Sequence, residues 1–369
     1  MSKIARIGNL TIGGGNKIAV QSMCNIKTSK ADEVIRQIID LENIGCDIIR
    51  VSVKDDDDLK ALKTIKLGVN IPLVADIHFN YRYALSAIDA GVDKIRINPG
   101  NIGSGKNVEE VAKALKSSGV AVRVGSNSGS VEKSLLEKYG KNEISLAASA
   151  LKNVAILEKY GVDNIVVSAK ASSVLLTKKT YEYLSRKTDY PLHVGVTEAG
   201  TISSGTVKSA IGIGSLLLEG IGDTIRVSLT ADPKEEIFAA KRILRSVGLD
   251  NDYAEIISCP TCGRTEYDSI SLAEKIEKLT ANVRKPIKIA VMGCVVNGPG
   301  EAKDCDIGVA GGSGYCVFFK KGEVYKKVPF SNVEEEFIKE MHEEVCISLG
   351  HTAADYGCAA EAMKEGALH

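Results

Sequence analysis

A short apolar run followed by a helical pattern recurs eight times in the first two thirds of the chain. Between the runs, apolar residues recur at helical spacing, as they do across residues 34–41. Strands that alternate with helices pair in parallel through right-handed crossovers. Eight such units predict an α/β fold of the (β/α)8 TIM-barrel type, with a doubly wound open sheet as the alternative. The runs that predict barrel strands are 18–23, 47–53, 71–77, 94–98, 120–125, 164–168, 192–197 and 224–229.

The pattern divides the chain into a barrel, a small module and a tail. A β-hairpin with arms at 5–10 and 17–20 precedes the barrel, and we expect it to close the barrel base. After Gly248 the regular alternation stops, and shorter runs predict a small α+β domain. Its predicted strands are 287–291, 306–310, 316–320 and 324–328, and its predicted helices are 269–279 and 333–349. The predicted organisation is a barrel domain over 1–247, an α+β domain over 253–350 and a C-terminal tail over 351–369.

Four of the predicted barrel strands carry an arginine between apolar neighbours, as in Ile49-Arg50-Val51. Side chains alternate between the two faces of a strand. The apolar neighbours must face the outer helices, so each arginine faces the barrel axis. The same alternation turns an aspartate, a histidine, a serine and a lysine inward. The side chains predicted to point into the barrel are Arg50, Asp76, His78, Arg96, Arg123, Ser168, Lys170 and Arg226.

This predicted interior holds five cations against few carboxylates, and uncompensated charges in a dry interior are costly. One interpretation is internal pairing, in which Asp76 and Glu198 neutralise two cations and Arg226 pairs with Asp223 or Glu219. The other is a polyanion bound at the C-terminal mouth, where barrel enzymes keep their sites. The planar fork of arginine bonds two phosphate oxygens at once, and the number of cations favours a small diphosphate over a monophosphate.

Three cysteines of the small domain lie in two short motifs. Cys259 and Cys262 form a Cys-x-x-Cys pair, and Cys294 follows in a Gly/Pro-rich loop. A structural zinc site has four closed ligands, and the candidates for the fourth are Cys305 and Glu301. Three interpretations stay open: an iron–sulfur cluster, in which a carboxylate ligand would leave one labile iron, a zinc site, or unrelated buried thiols.

Composition excludes several classes of protein. The 369 residues carry 47 Lys+Arg against 47 Asp+Glu, and there is no Trp, which argues against a nucleic-acid partner. No stretch approaches the ~20 apolar residues of a membrane helix, and the N-terminus lacks the pattern of a secretory signal. The nine scattered cysteines predict a reducing, cytoplasmic location with metal or redox use rather than a disulfide framework.

The cysteine motifs resemble those of one enzyme family. The motif from Cys259 to Thr265 (Cys-Pro-Thr-Cys-Gly-Arg-Thr), paired with the motif from Met292 to Glu301 (Met-Gly-Cys-Val-Val-Asn-Gly-Pro-Gly-Glu), resembles the bacterial 4-hydroxy-3-methylbut-2-enyl diphosphate synthases. The resemblance spans residues 1–350 and corresponds to the shorter, two-domain bacterial form. Further segments that agree lie at 20–23, 49–52, 75–78, 95–100, 122–125 and 196–200.

The resemblance implies a reductive step of the methylerythritol phosphate (MEP) route to isoprenoids. The substrate would be 2-C-methyl-D-erythritol 2,4-cyclodiphosphate, whose ring opens with loss of water as two electrons enter. The family holds a 4Fe-4S cluster, receives electrons from flavodoxin or ferredoxin, and forms a homodimer in which the barrel of one subunit meets the cluster domain of the other. By motif match, the cluster ligands here are Cys259, Cys262, Cys294 and Glu301.

The resemblance and the charge pattern together assign roles to the remaining candidates. The residues expected to grip or orient the diphosphate are Arg50, Asp76, Arg96, Arg123, Asn127 and Lys170. Glu198 is the candidate proton donor to the leaving hydroxyl. Asn297 lies in the cluster loop and is a candidate to bond the substrate or Glu301, which is expected to swing away from the metal. The competing hypothesis is a phosphate-handling barrel enzyme with a structural zinc site.

Overall fold

The computed structural model describes residues 1–78, 80–98, 105–281, 283, 285–296 and 298–348. The chain divides into two compact units, Met1–Leu249 and Asp250–His369. The segment predicted to be a C-terminal tail, 351–369, lies outside the described residues. In the described ranges, no helix is long and apolar enough to cross a membrane.

The first unit is built from alternating strands and helices. Its strands are β1 (Ala5–Ile7), β2 (Leu10–Ile12), β3 (Ala19–Met23), β4 (Ile48–Val53), β5 (Leu73–Ile77), β6 (Lys94–Ile97), β7 (Ala121–Asn127), β8 (Ile165–Lys170), β9 (His193–Val194) and β10 (Thr224–Ile225). Its helices are α1 (Ala31–Asn43), α2 (Asp56–Leu67), α3 (Tyr81–Asp89), α4 (Gly105–Ser118), α5 (Lys133–Tyr139), α6 (Glu143–Glu158), α7 (Val174–Ser185), α8 (Ile202–Leu218) and α9 (Pro233–Ser246).

Strands β3 to β10 close into a barrel. They form one parallel sheet in the order β8-β7-β6-β5-β4-β3-β10-β9. A parallel bridge between Val167 and Leu192 joins the two ends of this order, so the sheet has no free edge there. The doubly wound open sheet is excluded, and the predicted TIM barrel is confirmed.

The first helix and strand show why the sequence folds this way. Val34 and Ile38 lie one helical turn apart on α1 and are fully buried. They pack in one cluster with Ile49 and Val51 of β4. Because side chains alternate along a strand, Arg50 between them points the other way, into the barrel.

A two-stranded hairpin closes the base of the barrel. The turn between β1 and β2 begins at Gly8, whose φ is +59° and where a Cβ atom would lie 2.5 Å from Oδ1 of Asp93. Ile7 and Ile12 are fully buried in a cluster with the lowest interior residues of the barrel, and each contributes about 1.5–3 kcal/mol. The predicted second arm at 17–20 is wrong, because the tight turn pairs β1 with the strand that follows it immediately.

The second unit is a mixed sheet covered by two long helices. Its strands are β11 (Ala254–Ser258), β12 (Ile287–Met292), β13 (Ile307–Gly311), β14 (Tyr315–Lys320) and β15 (Glu323–Pro329). Its helices are α10 (Ser269–Thr280), the short α11 (Gly298–Glu301) and α12 (Val333–Ser348), which a 3-10 turn at Phe330–Asn332 precedes.

The sheet of the second unit runs in sequence order from β11 to β15. The pairs β11–β12 and β12–β13 are parallel, and the pairs β13–β14 and β14–β15 are antiparallel. Fully buried Ile276 of α10 and Phe337 of α12 pack with Ile289 and Phe318 of the sheet. The predicted small α+β domain is confirmed. Sequence reasoning missed β11, an edge strand whose residues are only partly buried.

Candidate active site and cluster site

The barrel interior gathers cationic side chains from around the ring. Arg96 of β6 and Arg123 of β7 are direct register partners. Burial lowers the pKa of Arg50 to about 10, with Asp76 opposing the shift and the charges of Arg226 and Arg96 adding to it. Its guanidinium therefore stays charged at neutral pH. The cationic side chains that act on one another inside the barrel are Arg50, Lys94, Arg96, Arg123, Lys170 and Arg226.

Asp76 of β5 neutralises one side of this group. Its carboxylate lies 3.7 Å from Nε of Arg50, 3.3 Å from Nη1 of Arg96 and 3.5 Å from Nε2 of His78. Burial alone would raise the pKa of Asp76, but the charge of Arg50, the hydrogen bond from His78 and the charge of Arg96 hold it well below its usual range. Asp76 is therefore an anion that aligns two arginines, while half of the His78 side chain stays exposed.

A second interior carboxylate comes from Glu236 on α9, which sequence reasoning missed. Glu236 lies 3.4 Å from Nη2 of Arg226 and accepts hydrogen bonds from the Ser22 hydroxyl at 2.9 Å and the Leu229 backbone N–H at 3.1 Å. The alternative that Arg226 pairs with Asp223 or Glu219 is not found, and the predicted inward direction of its side chain is what brings it to Glu236. Asp223 accepts from the Ser2 hydroxyl and the Leu192 N–H, and Glu219 pairs with Lys178.

The opposite side of the interior has cations without a carboxylate. Arg123 is 3% exposed and donates from Nη1 to the Ser168 hydroxyl at 2.7 Å. Nζ of Lys170 lies 3.1 Å from Nε2 of His193. Neither cation has a carboxylate within ion-pair distance among the described residues. Burial, and then the charge of Arg50, holds the pKa of Arg123 well below its usual range.

Two glycines leave space beside these cations. A Cβ atom on Gly195 would lie 2.7 Å from Nζ of Lys170, and one on Gly125 would lie 3.2 Å from Nε of Arg96. The Nε atoms of Arg96, Arg123 and Arg226 are buried without a hydrogen-bond partner in the part of the chain described. Buried donors are normally satisfied, so these atoms indicate a site that an anion with several oxygens would complete.

Two predicted site residues lie at the mouth of the barrel. Asn127 ends β7, and its side chain is exposed. Glu198 follows β9 in a loop, is exposed, and has a φ of +53°. This left-handed conformation is costly for a residue with a side chain, and such residues cluster at functional sites and in tight turns. The alternative interpretation, in which Glu198 neutralises an interior cation, gains no support, because Asp76 and Glu236 are the carboxylates that pair with the interior arginines among the described residues.

The candidate cluster ligands come from neighbouring parallel strands. Cys259 directly follows β11, and Cys294 lies two residues beyond β12. Residues 254–258 of β11 pair in parallel with residues 287–291 of β12. The backbone N–H of Gly293 donates to Sγ of Cys259 at 3.0 Å. Hydrogen bonds from the Arg264 backbone and guanidinium lower the pKa of the Cys262 thiol.

Solvent access separates the candidate ligands from the other cysteines. Cys259 and Cys294 are partly exposed and Cys262 is exposed, whereas the other cysteines in the described ranges are buried. Glu301 ends α11 and is also exposed. Three accessible thiols and a carboxylate are a donor set that fits an iron–sulfur cluster. No three potential metal ligands are already gathered around one point among the described residues, which do not include Asn297.

Cys305 has the opposite character. It is 1% exposed in an apolar cluster with Met292, Val317 and Phe319. Burial raises the pKa of its thiol to about 11, and metals bind the thiolate form. The structure therefore gives no support to the competing hypothesis that Cys305 is the fourth ligand of a zinc site.

Comparison with known proteins places the whole chain in one family. The family model described as the GcpE TIM-barrel domain matches residues 2–241, and that described as the GcpE protein C-terminal domain matches residues 255–343. This chain belongs to the GcpE family. The resemblance inferred from the cysteine motifs is confirmed.

Curated GcpE relatives are similar over nearly their full length. A protein of Caldanaerobacter subterraneus is 54% identical over 94% of this chain and 98% of its own. A protein of Geobacillus thermodenitrificans is 52% identical over 92% of this chain and 90% of its own. Both are named 4-hydroxy-3-methylbut-2-en-1-yl diphosphate synthase (flavodoxin). A solved dihydropteroate synthase of Yersinia pestis has a TM-score of 0.48 and 14% identity over 67% of this chain and all of its own.

In this GcpE chain, the sequence did not reveal three residues that contact the candidate site residues and hold them in place. Glu236 lies four residues beyond Asp232, which caps the N-terminus of α9, and such a position is normally a solvated helix start. His193 contacts Lys170, a pairing that only barrel closure creates. Arg264 lies inside the first cysteine motif, but the residue spacing alone does not predict its hydrogen bond to Cys262.

Proposed function

We propose that this chain catalyses the reductive ring opening and dehydration of 2-C-methyl-D-erythritol 2,4-cyclodiphosphate to 4-hydroxy-3-methylbut-2-en-1-yl diphosphate. Family membership and the names of the curated relatives confirm the predicted oxidoreductase and its reaction in the MEP route. The structural observation that carries the proposal is the barrel interior, where six basic side chains face two carboxylates and three arginine Nε atoms have no partner among the described residues.

The diphosphate offsets part of the excess positive charge of the interior. Arg123 and Lys170, which lack carboxylate partners in the described ranges, bind its oxygens directly. Arg50 and Arg96 approach it from the other side, held in place by Asp76. Fixed guanidinium groups in a water-poor site stabilise an anion strongly because they need no reorganisation when charge develops. The same groups therefore stabilise the diphosphate oxygen that is released as the ring opens.

Protonation of the leaving hydroxyl needs an acid at the barrel mouth. Glu198 is exposed there and has no partner that would fix its carboxyl group among the residues described. Because the backbone of Glu198 is left-handed, its Cα–Cβ bond points in a different direction from that of a residue with negative φ at the same place. Glu198 is the proton donor in this proposal, and Asn127 at the end of β7 orients the substrate from the neighbouring side.

The second unit holds the redox group. Cys259, Cys262, Cys294 and Glu301 are the ligands of a 4Fe-4S cluster in this proposal, and Asn297 assists from the same loop. When bound, the cluster would relay the two electrons from the external donor one at a time and would supply a Lewis-acidic iron. The proximity of Arg264 to Cys262 stabilises the thiolate form that binds metal.

The names of the relatives indicate one partner, and the sequence prediction supplies a second. Their printed name includes flavodoxin, which is the electron donor proposed here rather than ferredoxin. The predicted homodimer is retained as part of the proposal, and light scattering of the anaerobically purified chain tests it. A monomeric mass for the active enzyme would remove the dimer.

The decisive experiment measures product formation by the anaerobically reconstituted full chain with reduced flavodoxin and the cyclodiphosphate. We expect product by mass spectrometry and about four iron and four sulfide per chain. Arg50→Ala should weaken substrate binding, whereas Lys113→Ala, at an exposed lysine of α4, should not change it. Iron-loaded enzyme without product, or Arg50→Ala with unchanged substrate affinity, would contradict the proposal.

A further inference from the structure

A buried lysine and a buried histidine share one hydrogen bond inside the barrel. Lys170 is 7% exposed and His193 is fully buried. Nζ of Lys170 lies 3.1 Å from Nε2 of His193, and Nδ1 of His193 lies 3.0 Å from the Thr224 hydroxyl. If Nδ1 donates to Thr224, Nε2 is free to accept from Lys170. Two titratable side chains thus meet where neither has a carboxylate partner in the described part of the chain.

The backbone of His193 is fixed independently of its ring. The Tyr181 hydroxyl donates to the carbonyl oxygen of His193 at 2.6 Å and accepts from the backbone N–H of Ala169 at 3.2 Å. This contact ties β9 to β8 without touching the side chain of Lys170. His193 therefore presents a rigid acceptor to the lysine.

The surroundings of the pair are strongly cationic. Gly195 provides the space beside Nζ of Lys170. Burial, followed by the charges of Arg123 and Arg226, holds the pKa of Lys170 well below its usual range, and burial and Lys170 do the same for His193. The charged groups that act on the pair are Arg50, Lys94, Arg123, Arg226 and Glu236. Arg123, which lies beside the pair, is in turn influenced by Arg50, Arg96, Asp76 and Tyr181.

We propose that His193 is a positioning residue that holds Lys170 as a neutral amine in the empty barrel, and that Lys170 takes up one proton from solvent when the substrate diphosphate enters. Nε2 of His193 accepts a hydrogen bond from Nζ in both states. This inference deepens the proposed function and rests on it, because it takes the diphosphate as the anion that enters.

The chemistry of the side chains explains why the lysine, and not an arginine, takes the proton. A guanidinium group stays protonated in proteins, whereas a buried amine releases its proton readily. Neutral Lys170 removes one uncompensated charge from the empty site. The arriving dianion reverses the balance and favours the ammonium form. Affinity must then decrease tenfold per pH unit between the pKa of Lys170 in the free protein and its higher pKa in the complex.

Calorimetry of substrate binding measures this proton directly. The oxidised holoenzyme is titrated with the cyclodiphosphate without a reductant, in two amine buffers of different ionisation enthalpy. Each phosphorus of the cyclic substrate carries a single acidic group that is ionised throughout the neutral range, so any proton taken up goes to the protein. We expect an uptake of about one proton per site when the pH lies between the two pKa values.

Three variants separate the roles of the two residues. Lys170→Met should bind more weakly and take up no proton. His193→Leu should weaken binding about ten- to one-hundredfold, because Nζ loses its acceptor, while His193→Gln retains an acceptor and should bind within a fewfold of the wild type. The matched control is Tyr181→Phe, which loosens the His193 backbone and should lower the unfolding temperature without changing the proton uptake.

The binding experiments distinguish failure of the proposed function from failure of the inference about Lys170 and His193. If the wild-type chain does not bind the cyclodiphosphate at any pH, the proposed function itself fails. Binding without buffer-dependent heat, or proton uptake that persists in Lys170→Met, would overturn only the inference about the pair. Loss of uptake in His193→Gln would assign the proton to the imidazole and would overturn it as well.

Discussion

Arg123 and Arg226 are a matched pair of interior arginines that differ in their partners. The side chain of Arg226 is 18% exposed and contacts Glu236 at 3.4 Å. Arg123 is 3% exposed and donates to Ser168, with no carboxylate partner among the residues described. Replacement of each arginine by methionine, which is of similar length and has no charge, should therefore change the free energy of unfolding in opposite directions.

Arg123→Met removes a desolvated charge that nothing neutralises. Replacement of buried ion pairs by well-packed apolar residues is neutral or stabilises a protein by up to about 4 kcal/mol, and we take this range for the desolvated guanidinium of Arg123. The lost hydrogen bond to Ser168 costs about 1 kcal/mol, although the Ser168 hydroxyl keeps a contact with the Val124 carbonyl at 3.4 Å. We expect the free energy of unfolding of the substrate-free chain to rise by up to about 3 kcal/mol. Substrate affinity should decrease at least tenfold in the same variant.

Arg226→Met instead leaves Glu236 buried without its cation. Breaking a buried pair typically costs about 3–5 kcal/mol. Glu236 retains its hydrogen bonds from Ser22 and Leu229, so a loss near the lower end of that range is expected. Urea unfolding followed by circular dichroism, with and without the cyclodiphosphate, measures both variants. Equal destabilisation by the two substitutions would refute the assignment of Arg123 as the uncompensated cation.

Four further predictions concern single positions. Glu198→Gln should reduce turnover with unchanged iron content, and unchanged turnover would remove its acid role. Cys294→Ser should abolish the absorption near about 400 nm, whereas Cys305→Ser should retain it and only loosen an apolar cluster; a colourless wild-type protein whose bound zinc is lost in Cys305→Ser would favour the zinc hypothesis. In Gly195→Ala the new Cβ would lie 2.3 Å from the Arg226 carbonyl oxygen, so we expect a loss of about 1–3 kcal/mol of stability and weaker substrate binding, which urea unfolding and calorimetry measure. The pKa of Asp76 in the native state lies below its unfolded value of about 3.9, so its contribution to stability is complete above about pH 5 and is lost as the pH falls. Asp76→Asn should therefore flatten the acid side of the stability profile, and an unchanged profile would contradict the depressed pKa.

The inward direction of the arginines could be predicted because it depends on local geometry alone. In Ile49-Arg50-Val51 the apolar neighbours must pack on helices, and alternation then fixes the middle residue. The same reasoning located all eight barrel strands to within a few residues. It did not locate the second arm of the first hairpin. Whether residues 5–7 pair with residues 10–12 or with residues 17–20 depends on the tight turn at Gly8.

The candidate cluster cysteines could also be predicted from the sequence. Spacing identified Cys259, Cys262 and Cys294 as candidates, and the structure adds that they reach solvent while Cys305 does not. Exposure is a property of the packed domain. The strand β11, which carries the loop of Cys259 next to that of Cys294, was missed because its residues are too polar and too partly buried to give a strand pattern.

The sequence by itself determined an excess of cations within a parallel barrel, because alternation along each strand decides which face a side chain occupies. Only the tertiary structure decided which charges cancel. Glu236 is separated from Ser22 by 214 residues, and His193 reaches Lys170 only because the barrel closes. Charge balance depends on distances of 3–4 Å between residues remote in the chain, and no local pattern carries that information.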